Sequence, residues 1–451
     1  MKITTENMTE ESILELSNTV RERILNTKSE YPQIKGSAYY ISNNGNDDND
    51  GTSPETAWAT LNNFEKNPLK YGDAVLFERG GIYRGYHYGC SGVTYSAYGE
   101  GPKPRLVGAT ENAATLNWSK TESENIYLCE KKFPKPIGIA TFNNETQIGV
   151  SKMLGVDELK NDLDFFSDYK SGEFFLYCSK GNPAEVFFDI ELGGSQPIFD
   201  NYQYNHDIIF DNIEVSHGAS HGFCGASLSN ITISNCVFRY IGGGLLPTIE
   251  DQHIRYGNGV EFWESCHKIE VKNCYFTEIY DTALTFQFKG YTPDKDIEMF
   301  DVYFHDNLME NNTYSIEIFS EQPEDRDLIK NILIENNIMR NAGYGWGMQR
   351  PDKEGTSHIK LWDHRNNAEN FVIKNNILDK GRYSLIHIGA AKKSSYPIMS
   401  GNVYVQDLGR IVSIWDKKCT WCDQNSWRVI KEIENCENPN IIFAKDRCKL
   451  I

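Results

Sequence analysis

Between Ile208 and Ile414 the chain repeats one short phrase: alternating apolar residues, a two-residue polar turn, then more apolar residues. The copies read IIFDNIEV, ITISNCVF, IEVKNCYF, VYFHDNLM, ILIENNIM, FVIKNNIL and PIMSGNVY. Taking the second residue of each polar pair as a marker gives Asn212, Cys236, Cys274, Asn307, Asn337, Asn376 and Asn402, spaced 24, 38, 33, 30, 39 and 26 residues apart. Period-2 strands recurring at this interval, with no helical pattern between them, signal a solenoid whose coils bury their apolar faces by stacking on one another. Asn and small polar residues suit the corner, because they tolerate left-handed backbone and bond neighbouring main chain. Stacked, they form a ladder inside the turn. The unequal spacing then means a constant coil with loops thrown out from chosen corners, and loops are where function is sought.

A second strand follows each marker. GVEFW, ALTFQ, SIEIF, IKLWD, LIHIG and IVSIW share an apolar–X–apolar core in which X is Glu261, Thr285, Glu317, Lys360, His387 and Ser413. Alternation turns both apolar neighbours inward and X outward. Six coils therefore present one outward column of acid, hydroxyl, acid, base, imidazole and hydroxyl, at about 4.8 Å per coil. A solvated face more often carries Lys, Thr, Ser and Asn in no order.

A chain of 451 residues suits several ordinary domains, but a solenoid's core grows along one axis and escapes that limit. No window reaches the apolar length that spans a membrane. The N-terminus lacks the basic start and apolar stretch of a secretory signal, and eleven cysteines follow no framework spacing; both favour the cytoplasm. A formal charge of −18 argues against nucleic acid and anionic membranes as partners. The oligomeric state stays open.

In chain order, Ile13, Leu16, Val20 and Ile24 follow helical spacing behind Thr9 as N-cap, which predicts a helix covering the open end of the first coil within a lead-in of residues 1–36. Residues 37–109 hold the first coils. Residues 110–206 lose the coil pattern, and DFFSDYKSGEFFLY alternates across a turn at Lys170-Ser171-Gly172, which predicts an antiparallel insertion. Regular coils run over 207–415, and 416–451 form a C-terminal cap.

The run YYISNNGNDDNDGTSPETAWATLNNF, then GDAVLFERGGIYRG and TYSAYGEGPKPRLVG, resembles the opening coils of right-handed parallel β-helix proteins of the pectate-lyase-like superfamily. NGVEFW, EIYDTALTFQ, NTYSIEIF, NAGYGWGMQRP and IKLWDH resemble motifs of uncharacterised β-helix proteins from glycan-degrading bacteria. The resemblance implies an all-β right-handed parallel β-helix and a carbohydrate-active enzyme, with an oligosaccharide or polysaccharide as partner. One solenoid hosts hydrolases, lyases, epimerases and binding proteins, so the resemblance leaves the reaction open.

No cofactor is expected. NGNDDNDGT looks like a calcium loop but lacks the bidentate Glu of the last ligand position, so a turn ladder is the better reading. Cys419, Cys422, Cys436 and Cys448 space as C-x2-C-x13-C-x11-C. The last two stand too far apart for the two close pairs of a structural zinc site, and buried thiols are the better reading there also.

Two loops leave one corner before column strands, 242–257 and 343–357, and are expected to wall the column into a groove. They bring Arg255, Tyr256, Trp346, Gln349 and Arg350 as sugar-contacting groups, with Trp263 and Arg382 beside the column. Glycoside hydrolysis needs one carboxylic acid and one carboxylate on opposite sides of the scissile bond. Glu261 and Glu317, two coils apart at about 9.5 Å, are the expected pair. Asp281 and Asp363 are each able to replace one of them. Lys360 close to Glu317 is expected to hold it ionised as base or nucleophile, and partial burial of Glu261 beside Trp263 to fit it as acid. Lys360, His387 and Thr285 would bind hydroxyls. In an eliminating lyase or an epimerase, Lys360, His387 and Arg382 would take the central roles instead. A third reading, a glycan-binding spike, needs no acids and bases in a column.

Overall fold

The computed structural model describes residues 8–28, 34–246, 254–289, 298–321, 328–350, 355–362, 367–389, 396–406, 411–414, 430–431, 434, 436 and 439–443. Three long sheets wind around one apolar core. The first has ten strands from Ala38–Ile41 to Ile398–Ser400, the second ten from Ile82–Arg84 to Asn440–Phe443, and the third nine from His87–Gly89 to Val412–Ile414. Every pairing within them is parallel, between coils and never within one, as a β-helix requires. The core between the sheets is filled by the inward alternate residues, among them Phe210, Ile233, Phe262, Phe286, Ile318 and Leu361.

The corners explain the repeat. In the coil through Asn336, left-handed residues recur five apart, at Asn331, Asn336 and Asn341, and neighbouring coils repeat this at Asp301, Asp306 and Asn311 and at Asn370, Asn375 and Lys380. Asn dominates because its short amide lowers the cost of a backbone that a Cβ otherwise opposes. From Cys236 onward the residue before the marker takes the left-handed turn, and the marker points inward. Asn307, Asn337, Asn376 and Asn402 stack in line, each Nδ2 donating at 3.0 Å to the Oδ1 of the next. The amides thus share one direction. The Cys274 N–H donates to Oδ1 of Asn307 at 2.9 Å at the early end, and Glu434 accepts from Nδ2 of Asn402 at 3.1 Å at the late end; on the first marker coil Lys103 donates to Oδ1 of Asn212.

The helix Glu10–Asn26 forms as expected, with Thr9 accepting from the Ser12 N–H at its N-terminus. Its place differs from the expectation. Ile13, Val20 and Ile24 pack on Val237, Leu308, Ile338, Ile377 and Val403, the outer face of the second sheet, so the helix lies along the flank rather than over the first coil. Seventeen residues span about 25 Å, and the five coil steps from Val237 to Val403 span about 24 Å, so one helix covers a full stripe of outward apolar side chains. Arg21 on Glu310 and Lys380 on Glu10 anchor it. At the early end Trp58 stacks on Tyr39 at 5.2 Å and meets Phe64 edge-on, which covers core there.

Between residues 118 and 194 the chain leaves the coil and forms two small, mostly antiparallel sheets around their own core of Phe142, Phe165, Phe174 and Phe187. The expected turn joins Asp164–Ser167 to Phe174–Tyr177, with Gly172 at φ +74°. Charge clamps this insertion to the solenoid. Glu145 lies 3.2 Å from both His217 and Arg239 and 3.3 Å from Arg105, which together hold its carboxyl down to about 2 against the opposing effect of burial.

Candidate active site

The third sheet carries the column. Register pairs Tyr88 with Asp200, then Cys224, Glu261, Thr285, Glu317, Lys360, His387 and Ser413, so the six predicted positions are consecutive rungs and the column extends three rungs earlier. Two residues further along each strand, Ala226, Trp263, Gln287, Phe319 and Trp362 make a second outward row. Charge and aromatic surface therefore run side by side along the solenoid axis.

Glu317 and Lys360 form the centre. Lys360 Nζ lies 3.2 Å from Glu317 Oε1, with both side chains about a tenth exposed. It sits 4.0 Å from the ring centroid of Tyr314 and 4.7 Å from that of Trp362. Glu317 Oε2 accepts from Thr282 at 3.1 Å and Gln287 at 3.3 Å. Burial pushes the Glu317 carboxyl above the ordinary value, with Asp281 adding to the rise and Lys360 opposing it. Burial acts to lower the Lys360 ammonium, but Glu317, Tyr314 and Asp281 together outweigh it and hold Lys360 protonated, well above an ordinary lysine. The expectation that Lys360 keeps Glu317 low is thus corrected: the pair exists, but removal from water is the larger effect. His387, stacked on Trp362 at 6.2 Å, is pulled down to about 4 by burial and then by Lys360.

Asp281 stands at the corner before this strand and pairs with Arg350 at 2.7 Å. The Arg350 guanidinium lies 5.7 Å from the Tyr280 ring and 5.5 Å from that of Tyr314, so Arg350 faces the centre from the corner side. Two rungs earlier, Glu261 Oε2 accepts from Asn258 Nδ2 at 2.5 Å and lies 3.0 Å from Nδ1 of His221. His221 packs against Tyr256, whose hydroxyl accepts from Ser220. His221 is a site residue that the sequence reading missed. Its signal lay in extending the column back through FCGA, whose corner it occupies.

Several expected sugar contacts serve the scaffold instead. Trp346 is buried against Tyr280, Ile139 and Ala219, with its indole N–H on the Glu278 carbonyl. Arg255 is buried too, and donates to the carbonyls of Gly243 and Gly138 at 2.7 Å. Gln349 donates to the Gly149 carbonyl. The described parts of loops 242–257 and 343–357 thus tie the insertion to the coils, because their long polar side chains meet its main chain before they reach the column. Thr285 is fully buried and donates to the main-chain oxygen of Glu317, so it supports the strand. Tyr256 and Trp263 stay half-buried beside Glu261, and Arg382 stands at the corner leading to His387. Asp363 lies outside the described residues.

No group of three His, Cys, Asp or Glu side chains able to hold a metal occurs among the described residues. In the acidic loop, Asp50 accepts from Thr52 and Thr56, and Asp47 from Thr60, as a turn ladder does. Of the four tail cysteines only Cys436 is described, and it is exposed; Cys419, Cys422 and Cys448 lie outside the described residues.

Three parallel sheets wound into a solenoid, with an outward polar column on one of them, define a parallel β-helix protein. No family model matches the chain, and no curated protein matches it in sequence. Among solved structures it is similar to XylC in complex with xylose, at 12% identity and a TM-score of 0.50 over 84% of this chain and 70% of that one. It is also similar to a glycoside hydrolase at 9% identity and TM-score 0.44, covering 90% and 96% of the two chains. A GH136 lacto-N-biosidase from Eubacterium ramulus matches at 14% identity and TM-score 0.45, covering 91% and 68%. Lyases stand among the similar structures as well. The likeness shows the parallel β-helix fold.

Proposed function

We propose that the protein is a glycoside hydrolase acting on an oligosaccharide bound along the outward face of the third sheet. The observation that carries this reading is the division of labour among carboxylates on one face. Glu317 is buried, with its pKa raised and Lys360 beside it, and Glu261 stands two rungs away, ~9.6 Å along the axis, with Asn258 and His221 beside it. A carboxyl whose proton affinity burial raises suits the acid that donates to the leaving oxygen, and a second carboxylate two rungs off, held by Asn258, suits the base that takes a proton from water. The roles are therefore Glu317 as acid and Glu261 as base, the reverse of the sequence expectation. A two-rung separation favours the wider spacing that admits a water and inverts the anomeric centre. Asp281, occupied by Arg350, positions the corner rather than the proton.

A lyase would need an uncharged base beside the sugar. Lys360 is the wrong group for that, because its partnership with Glu317 keeps it protonated, so an elimination would fall to His387, which burial lowers to about 4 and leaves neutral. The deciding experiment incubates the protein with an oligosaccharide panel and follows reducing ends together with the absorbance of unsaturated uronate. New reducing ends without absorbance support hydrolysis, absorbance establishes elimination, and silence across the panel sinks both and shifts the weight to epimerisation or binding. On a cleaved substrate, Glu317→Gln is expected to lose roughly a thousandfold or more in kcat. Retention of most turnover removes Glu317 from the mechanism.

A further inference from the structure

The early end of the third sheet carries aromatic surface that the proposed cleavage site does not use. Tyr88 is the first rung of the column, and Tyr202 follows the next rung by two residues, in line with the row that holds Ala226, Trp263, Gln287, Phe319 and Trp362. The two tyrosines stack on each other at 5.5 Å with planes 12° apart, yet stay 47% and 62% exposed. Large aromatic side chains left in water usually spread singly. Here two stacked rings stand on the same sheet face as the buried acid, with the Tyr88 hydroxyl accepting from Gln196 at 3.3 Å and Asp200 on the adjacent rung.

We infer that Tyr88 and Tyr202 form a distal sugar-binding platform, which stacks against a ring of the same oligosaccharide several units from the bond being broken. Three rungs separate Tyr88 from Glu261 and five separate it from Glu317, about 14 Å and 24 Å along the axis. No single sugar ring bridges either distance, so only a chain lying along the solenoid meets the platform and the carboxylates together. The occupant is a pyranose. Its C–H face matches a flat apolar ring, and the polar fringe of Asp200 and Gln196 matches its equatorial hydroxyls. The platform binds remote parts of a long substrate and leaves short ones to the carboxylates alone, so it sets a preference for chain length.

The inference rests on the hydrolase reading, and its test separates the two. The probes are neutral oligosaccharide series, xylo-, gluco- and galacto-configured, from disaccharide to hexasaccharide. For whichever series is cleaved, the Tyr88→Ala/Tyr202→Ala variant of the full chain is expected to lose roughly tenfold in kcat/KM on the hexasaccharide, mainly through KM, and to match wild type on the disaccharide. Tyr88→Phe/Tyr202→Phe, which keeps both rings, should restore the hexasaccharide value. Equal loss on short and long substrates, or none on the long one, overturns the platform. If wild type cleaves none of these series and nothing in the wider panel, the hydrolase reading fails, and saturation-transfer NMR with the same hexasaccharides decides the platform alone. Signal that disappears in the double alanine variant and returns in the double phenylalanine variant supports it; signal unchanged by the substitutions, or absent from wild type, refutes it.

Discussion

Replacing Lys360 by Met tests whether the centre of the column is a buried ion pair in fact as well as in geometry. Lys360 and Glu317 are each about a tenth exposed and lie 3.2 Å apart. Removing one member of such a pair strands the other charge in a poorly solvated place, which costs about 3–5 kcal/mol. The two single variants should differ. Without Lys360, Glu317 keeps, among the described residues, the neutral donors Thr282 and Gln287 and must either stay charged or take up a proton, so Lys360→Met belongs at the upper end of that range. Glu317→Gln still offers an amide oxygen to Lys360, which also keeps the faces of Tyr314 and Trp362, so its cost should fall to about 1–2 kcal/mol. The double variant leaves neither charge and should recover to within about 1–2 kcal/mol of wild type. The sign with pH follows. Losing Lys360 raises a carboxyl that burial has already raised, so the Lys360→Met deficit should grow as pH climbs from 5 through the elevated Glu317 value. Urea unfolding of the four proteins at pH 5 and pH 8 reads all of this. Additive costs in the double variant, or a Lys360→Met midpoint equal to that of wild type, refute the reasoning.

Two further predictions concern the scaffold. Asn376→Ala removes donors to the carbonyls of Ile334 and Lys374 and to Asn402, and an acceptor for Asn337; it should cost about 4 kcal/mol or more, while Asn375→Ala next to it, a left-handed corner, should cost only about 1–2 kcal/mol. Chemical denaturation that ranks them the other way would show the inward amide ladder to be incidental. Burial raises Glu278 to about 7, with the Trp346 backbone N–H and Asn311 opposing, so the folded chain holds a proton between pH 4.5 and 7 that the unfolded chain lacks. Stability from this group falls as pH rises across that window, and Glu278→Gln should be more stable than wild type at pH 8 by up to about 3 kcal/mol, with no advantage at pH 4.

The column was legible because a strand has a strict period of two. Once Val260 and Phe262, or Ile316 and Ile318, are seen to alternate, Glu261 and Glu317 have only one face to occupy, and parallel stacking aligns them rung on rung. The roles of the loop residues were not legible. Trp346, Arg255 and Gln349 carry the right chemistry for sugars, yet each meets the insertion or the coil first, and no local pattern says which surface lies within reach. His221 was missed for a related reason: its link to Glu261 joins residues 40 positions apart in sequence, across a rung that reads Cys224 and breaks the run of charged residues.

The solenoid, the ladder of marker residues, the hairpin at Lys170-Ser171-Gly172 and the order of groups along the third sheet were readable in the chain, because each follows from local periodicity and turn chemistry. Where the helix Glu10–Asn26 docks, which polar side chains the insertion engages, and how deeply Glu317 is buried emerge from the folded coils. Those depend on which surfaces come together and how much water they exclude. Burial changed the ionisation of Glu317 by more than its nearest charge did, and burial belongs to the assembled coils and to no single stretch of the chain.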